Sequence, residues 1–468
     1  MAPESHAGPT DAGPVYSDAL EMIGRTPLVR VARLDTGPCE LYLKLENQNP
    51  GGSIKDRIGK SMIEAAERDG SLKPGGTIVE ATAGNTGLGL ALVAARKGYR
   101  LIIVVPDKMA QEKIFHLKAL GAEVRLTRSD VGKGHPEYYQ DIAERIAGEE
   151  GAFFVNQFGN PANPWAHETT TGPEIWEQME HRLDAVVCGV GSAGTITGLA
   201  HYFASVDPEV EMVLADPEGS VLAELIETGT PATEVGSWVV EGIGEDFVPP
   251  IADLERVRKA YTIPDREALL TARELLSKEG ILAGSSTGTL LAAALRYCRE
   301  QSETKRVVTF VCDSGNKYLS KMYNDYWMID QGFIERPRRG DLRDLIARRH
   351  GEQATVTTAP DDTLLAAYGR MKLYDISQLP VIDAEGRVVG LLDESDLLLH
   401  VVEDESRFHD PVSTAMVERL ETVAPDAAIH DLLPIFARDH VAIVLEDGRF
   451  EGLITRIDLL NHLRRKLK

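Results

Sequence analysis

The chain is poor in cysteine, and it has no apolar run long enough to cross a membrane. Its 468 residues include four cysteines, Cys39, Cys188, Cys298 and Cys312. These lie far apart, with no CxxC pair and no histidine at zinc spacing, so neither a disulfide framework nor a structural zinc is expected. Each reads as a small apolar residue of a reduced, cytoplasmic protein. No segment approaches the ~18 consecutive apolar residues of a membrane helix. Basic residues are in deficit, 50 Lys and Arg against 73 Asp and Glu, for a formal charge of −23. A nucleic acid or an anionic membrane calls for the opposite field, so neither is an expected partner. Residues 1–17 hold no Lys or Arg and no apolar run, so no secretory signal is expected there. Rich in Pro, Gly, Ala and Ser, they read as a disordered tail.

From residue 18 to about 333, short apolar runs alternate with helical patterns. TIVEA (77–81), LIIVV (101–105), FFV (153–155), AVVCGV (185–190), EMVLA (211–215) and VVTFVC (307–312) are the candidate strands. Runs apolar throughout suit strands covered on both faces, as in a mostly parallel sheet, which makes the fold class α/β. The basic, proline-containing stretch at 334–344 reads as a linker. Residues 345–468 contain a repeat, with copies at about 345–410 and 411–468. Each copy opens on Pro-Asp (Pro360-Asp361, Pro425-Asp426), continues through a helical run and two short strands, and closes on GLLDESD (390–396) or GLITRID (452–458). Two such units are expected to pack together around one core.

Four loops combine glycine with polar side chains. GVGSAG (189–194) lies between a strand and a helix, with Asp216 placed after the next strand. That spacing admits a dinucleotide, a bare turn, or a phosphate monoester held by amides at a helix N-terminus, and it does not decide among them. IGKS (58–61) imitates a nucleotide P-loop but has Ile54 where the motif needs glycine. NPGGSIKDR (49–57) puts Lys55 after two glycines at a helix start. ATAGNTG (81–87) and GSSTG (284–288) are further strand–loop–helix junctions, where Asn85, Ser285 and Ser286 could equally be helix caps.

Taken in order, GGSIKDR, TAGNTG, NQFGNPANP (156–164), GSAGTITG (191–198), EGIGEDFVP (241–249) and GSSTG resemble the cysteine synthase/cystathionine β-synthase family. These are fold-type II pyridoxal-phosphate enzymes, similar in fold to the tryptophan synthase β chain. The resemblance implies that Lys55 carries pyridoxal 5′-phosphate as a Schiff base and moves the Cα proton. It implies that Asn85 bonds the cofactor 3-hydroxyl, that Gly191, Ser192, Ala193, Gly194 and Thr195 wrap the phosphate, and that Ser286 faces the pyridine nitrogen. Thr82, Gly84, Thr86 and Gln157 would grip the substrate carboxylate, and Gly242 would line the entrance. The implied reaction is β-replacement, condensing serine with homocysteine in transsulfuration or releasing hydrogen sulfide from cysteine. Cysteine synthesis from O-acetylserine and sulfide is the near alternative, and a non-catalytic adenosyl-ligand regulator the remote one. EGIGEDFVP and DSGNKYLSKMYNDYWM (313–328) look like the β-synthases, whereas Phe158 looks like cysteine synthase. Ala83 stands where both groups carry serine, and Glu245 where animal enzymes carry tyrosine. With His6 alone and no cysteine in the tail, no haem is expected. The paired repeat resembles a tandem CBS module, in which Thr455 and Asp458 would hold an adenosyl ligand such as S-adenosylmethionine; the first copy has Asp393 in place of the threonine. A homodimer or homotetramer is implied by the same resemblance.

Overall fold

The computed structural model describes residues 14–465 apart from 83, 108, 110, 129 and 132–134. The tail residues 1–13, His6 among them, and Ala83 therefore lie outside the described residues. Two compact units divide between Tyr323 and Asn324.

The first unit contains two sheets. One has the order β5-β4-β3-β6 and is parallel throughout: β3 (Thr77–Ala81), β4 (Arg100–Pro106), β5 (Glu123–Thr127) and β6 (Phe153–Phe154). The other has the order β1-β2-β10-β7-β8-β9: β1 (Leu28–Arg30), β2 (Glu40–Lys44), β7 (Ala185–Gly189), β8 (Glu211–Pro217), β9 (Val257–Ile263) and β10 (Arg306–Phe310). Only the β1–β2 pair is antiparallel there. Apart from FFV, which becomes the half-buried edge strand β6, the apolar runs of the sequence become inner strands, buried on both faces by helices, as a parallel sheet requires.

Helices α1 (Lys55–Asp69), α2 (Asn85–Lys97), α3 (Gln111–Ala119), α4 (Gly194–Val206) and α5 (Ser285–Arg299) place the loops. Four of these helices begin at residues the loops had singled out, Lys55, Asn85, Gly194 and Ser285. Helices α1 and α2 cross closely because both are glycine at the contact. A Cβ on Gly59 would lie 2.7 Å from the Gly89 carbonyl carbon, and one on Gly89 would lie 2.6 Å from the Lys55 carbonyl oxygen.

In the second unit, the first repeat contains α6 (Leu364–Tyr374), β11 (Gln378–Ile382), β12 (Val388–Asp393) and α7 (Glu394–Val401). The second contains β13 (Thr422–Val423), β14 (Ala442–Glu446), β15 (Arg449–Ile454) and α8 (Arg456–Arg465). The parallel pairing of Thr422 with Ile443 has its counterpart in the bridge from Thr358 to Val381, so the sequence repeat is a structural one. Instead of one shared core, each copy has its own cluster. Leu364, Met371, Leu379 and Leu392 belong to the first; Leu432, Phe436, Val444 and Ile454 belong to the second. Leu342, Leu345 and Ile346 join the second cluster, and Arg336 donates to the Ile346 carbonyl at 2.9 Å. The stretch expected as a linker is thus packed within this unit. No helix among the described residues is long and apolar enough to cross a membrane.

Candidate active site

The loops after β3 and β7 and those before α1 and α5 converge on a cavity of about 580 Å³. Every residue to which the resemblance gives a role in the catalytic region lines it: Lys55, Thr82, Gly84, Asn85, Thr86, Gln157, Gly191 through Thr195, Gly242 and Ser286. Parallel strands explain the convergence, because their C-terminal ends and the helix N-termini that follow all face one crevice.

Lys55 is half-buried at the first position of α1, and its Nζ makes no hydrogen bond among the described residues. Burial lowers the amine below the usual lysine range, although Cys312 and Glu245 nearby oppose the shift. The preceding loop is held from both sides. Asp56 accepts from the Gly51 amide at 2.5 Å, and Lys317 Nζ donates to the Gly51 and Gly52 carbonyls at 3.3 and 3.1 Å. Lys317 also donates to Asn85 Oδ1 at 3.0 Å, while Asn85 Nδ2 donates to Asp313 at 2.7 Å. One amide hydrogen of Asn85 is left for a ligand.

The loop before α4 forms an amide cradle. Among the described residues, none of the amides of Gly191–Thr195 donates to a protein acceptor. Ala193 takes φ +68° and turns the chain into a helix of 13 residues, whose dipole adds partial positive charge. Side chains are excluded where the cradle is tightest: a Cβ at Gly191 would lie 2.6 Å from the Gly242 carbonyl oxygen, and one at Gly194 would overlap the Asn163 side chain. Asn163 itself donates to Gln157 O at 2.8 Å and Ser192 Oγ at 3.0 Å, tying the cradle to the neighbouring loop. Thr195 Oγ1 meets His167 Nε2 at 3.2 Å. Burial pushes that histidine down to about 3, so it stays neutral.

At the start of α2, Thr86 Oγ1 donates to Gln157 Oε1 at 2.7 Å, and Gly84 N donates to Thr82 Oγ1 at 3.3 Å. Ser286 is buried on the cavity wall close to the Cys312 thiol, which withdrawal from water pushes up to about 12. Cys39, Cys188 and Cys298 are buried as expected of small apolar residues. Cys312 is not, being partly exposed on the cavity wall beside Lys55.

Asp216 argues against a dinucleotide on GVGSAG. It is fully buried, and its Oδ2 accepts from the Ala223 amide at 2.8 Å, so it caps the next helix instead of awaiting a ribose. Free amides at a helix start and an unpaired lysine amine in one cavity fit a phosphate monoester that carries an aldehyde.

Parallel sheets meeting around a lysine at a helix start are the architecture of the fold-type II pyridoxal-phosphate enzymes, and this chain has it. It belongs to the family described as pyridoxal-phosphate dependent enzymes, whose model matches residues 19–313, and it carries two CBS domains, matched at residues 353–403 and 412–465. Cystathionine beta-synthase of Dictyostelium discoideum is 36% identical over 96% of this chain and 92% of its own length. That of Saccharomyces cerevisiae is 32% identical over 95% and 97%. Among solved structures, a hydrogen sulfide-producing enzyme from Fusobacterium nucleatum aligns with a TM-score of 0.61 at 36% identity, covering 65% of this chain and all of its own. O-ureido-L-serine synthase aligns with a TM-score of 0.61 at 35% identity, over 68% of this chain and all of its own.

Several residues of the site had no assigned role in the sequence. Asp313, Lys317 and Lys321 lie in the DSGNKYLSK segment and Glu241 in EGIGEDFVP, so their motifs were visible although their contacts were not. Lys113, in the ordinary-looking helix α3, gave no signal at all. In the second unit, Asp458 Oδ2 accepts from Thr455 N at 2.7 Å and Thr455 Oγ1 at 2.6 Å, at the start of α8. Asp393 and Asp396 form the corresponding reciprocal cap of α7.

Proposed function

We propose that this enzyme condenses L-serine with L-homocysteine to L-cystathionine, releasing water, and that it also releases hydrogen sulfide when cysteine takes the place of serine. The observation that carries the reading is the unpaired Lys55 amine, sharing one cavity with the amide cradle and with the Thr82–Thr86 loop. The naming of the relatives supports it.

Lys55 would hold pyridoxal phosphate covalently, with its phosphate on the amides of Gly191–Thr195 and its ring nitrogen on the Ser286 hydroxyl. Asn85 would use its remaining amide hydrogen on the ring hydroxyl. When bound, the cofactor supplies an electron sink conjugated to the substrate amino group. The chain contributes position and proton transfer. Thr82, the Gly84 backbone, Thr86 and Gln157 hold the serine carboxylate. Lys55, its amine lowered by burial, takes the Cα proton and later returns one, which is general base and then general acid work. Ser286 is a neutral hydroxyl, not a carboxylate, and leaves the ring nitrogen without a counter-ion, which favours loss of the β-substituent over amino transfer. In the second unit, Thr455 and Asp458 are proposed to meet the ribose hydroxyls of an adenosyl ligand.

The test is spectroscopic and chemical together. The purified protein is expected to be yellow, to bleach with borohydride, and to carry the reduced pyridoxyl group on Lys55 by peptide mass spectrometry. Lys55→Ala is expected to lose both signals. A pyridoxyl group on another lysine, or on none, refutes the assignment. Faster turnover of O-acetylserine with sulfide than of serine with homocysteine would move the enzyme to cysteine synthesis. Tight adenosyl binding without turnover of any β-substituted amino acid would make it a regulator.

A further inference from the structure

Lys113, Glu241 and Lys321 also line the cavity, and none of them has a part in the contacts proposed above. Glu241 Oε2 accepts from Lys113 Nζ at 2.6 Å, and its Oε1 accepts from Lys321 Nζ at 2.6 Å. All three are withdrawn from bulk water, with side-chain exposures of 2% for Lys113, 11% for Glu241 and 24% for Lys321. Burial alone would raise the Glu241 carboxyl, but the two lysines hold it below the usual carboxylate range, so it is ionised. The trio therefore carries one positive charge in excess. Lys113 Nζ also donates to the Tyr318 hydroxyl at 3.1 Å, and Tyr318 in turn donates to Asp313 at 2.8 Å. Those two residues stand behind the wall and do not line the cavity.

The location is as informative as the charge. The Lys113 stem lies over Gly84: a Cβ there would be 2.6 Å from Lys113 Cδ and 3.4 Å from its Nζ. The trio thus adjoins the loop proposed to grip the serine carboxylate. Glu241 is anchored through its own amide, which donates to Ser285 Oγ at 3.0 Å. A fixed carboxylate between two ammonium groups is half of a zwitterion site.

We propose that the second substrate, an amino acid bearing a thiol, inserts its zwitterion between Lys321 and Glu241. Its carboxylate pairs with Lys321, and its ammonium takes the Glu241 oxygen that Lys321 vacates. Lys113 keeps the other oxygen and so holds Glu241 in place. The insertion exchanges one ion pair for two and leaves no charge bare, which matters on a poorly solvated wall. This rests on the condensation proposed above and deepens it: the trio would favour an amino-acid thiol over sulfide, which has no carboxylate to offer.

The test uses the holoenzyme with serine and two thiols, homocysteine and 3-aminopropane-1-thiol, which is homocysteine without its carboxylate. The wild type is expected to prefer homocysteine in kcat/KM. Lys321→Met is expected to lose that preference by about tenfold or more, through the homocysteine KM and not through kcat or the serine KM. Lys321→Arg is expected to recover most of it. Equal losses on both thiols would overturn the subsite and leave Lys321 as a support for Glu241, and a raised serine KM would overturn it as well. A wild type with no preference between the two thiols overturns it without recourse to any variant. A wild type that makes no thioether from homocysteine would instead sink the condensation, and the subsite with it.

Discussion

Arg57 lies two residues beyond Lys55, and its removal should destabilise the catalytic unit severely. Its side chain is 2% exposed and that of Glu46 is fully buried. The guanidinium donates to Glu46 through Nε and Nη2, both at 2.8 Å, and to Glu174 through Nη1 and Nη2 at 2.8 and 2.7 Å. Breaking a buried pair from one side costs about 3–5 kcal/mol, chiefly because the remaining charge is stranded. Glu46 would retain the Thr26 hydroxyl at 2.6 Å and the Asn49 amide at 2.8 Å. Glu174 would retain Lys44 at 2.8 Å. These partners place Arg57→Met near the lower end, about 3 kcal/mol. With a urea slope of roughly 3 kcal/mol per M for a unit of this size, the midpoint should fall by about 1 M. Tryptophan fluorescence reports the transition, because Trp165, Trp176 and Trp238 lie in this unit and only Trp327 in the other. Arg57→Lys keeps the charge without the planar fork and should fall between the two. Acid sharpens the test. Despite its burial, Arg57 and Lys44 hold Glu174 down to about 2. A depressed carboxylate contributes stability that is present above its unfolded value near ~4.3 and is lost as pH falls through about 2. The wild type should therefore lose stability through that window, and its advantage over Arg57→Met, which lacks the depressed carboxylate, should shrink there. A midpoint shift under about 0.3 M, with unchanged acid unfolding, would refute the stranded-charge argument.

Two further outcomes follow from particular contacts. Gly194→Ala should weaken retention of pyridoxal phosphate by about tenfold or more, because the methyl group displaces the Asn163 side chain from the cradle; fluorescence titration of the apoenzyme measures it, and unaltered affinity would mean that the cradle is not the phosphate site. Glu80 is buried on β3, and burial lifts its carboxyl to about 8 against the amide of Gln157. The stability of its neutral form is complete below the unfolded value near ~4.3 and is lost as pH rises toward about 8. Glu80→Gln, neutral at every pH, should therefore gain in urea midpoint over the wild type between pH 5 and pH 8, and a constant difference would contradict the raised value.

Local pattern was enough to reveal the alternation of strands and helices, the duplicated second unit and the glycine-rich junctions. The apolar run at 101–105 and the helix at 85–97 could be read directly because burial on both faces and helical periodicity leave marks within a few residues. Short edge strands such as β1 and β5 left none, since their half-exposed residues look like loop. Asp216 was placed correctly along the chain but misleadingly for function, because spacing does not say which neighbour a carboxylate faces.

The order of the motifs by itself determined the family and singled out Lys55, the amine proposed to carry the cofactor. Only the tertiary structure decided which distant polar groups meet: Lys113 and Lys321 with Glu241, Lys317 with Asn85, Arg57 with Glu174. Backbone amides and single lysines at a helix start are set by local sequence. An ion pair between residues a hundred positions apart depends on how two sheets and their helices close on each other, and the strength of that pair depends on the water they exclude.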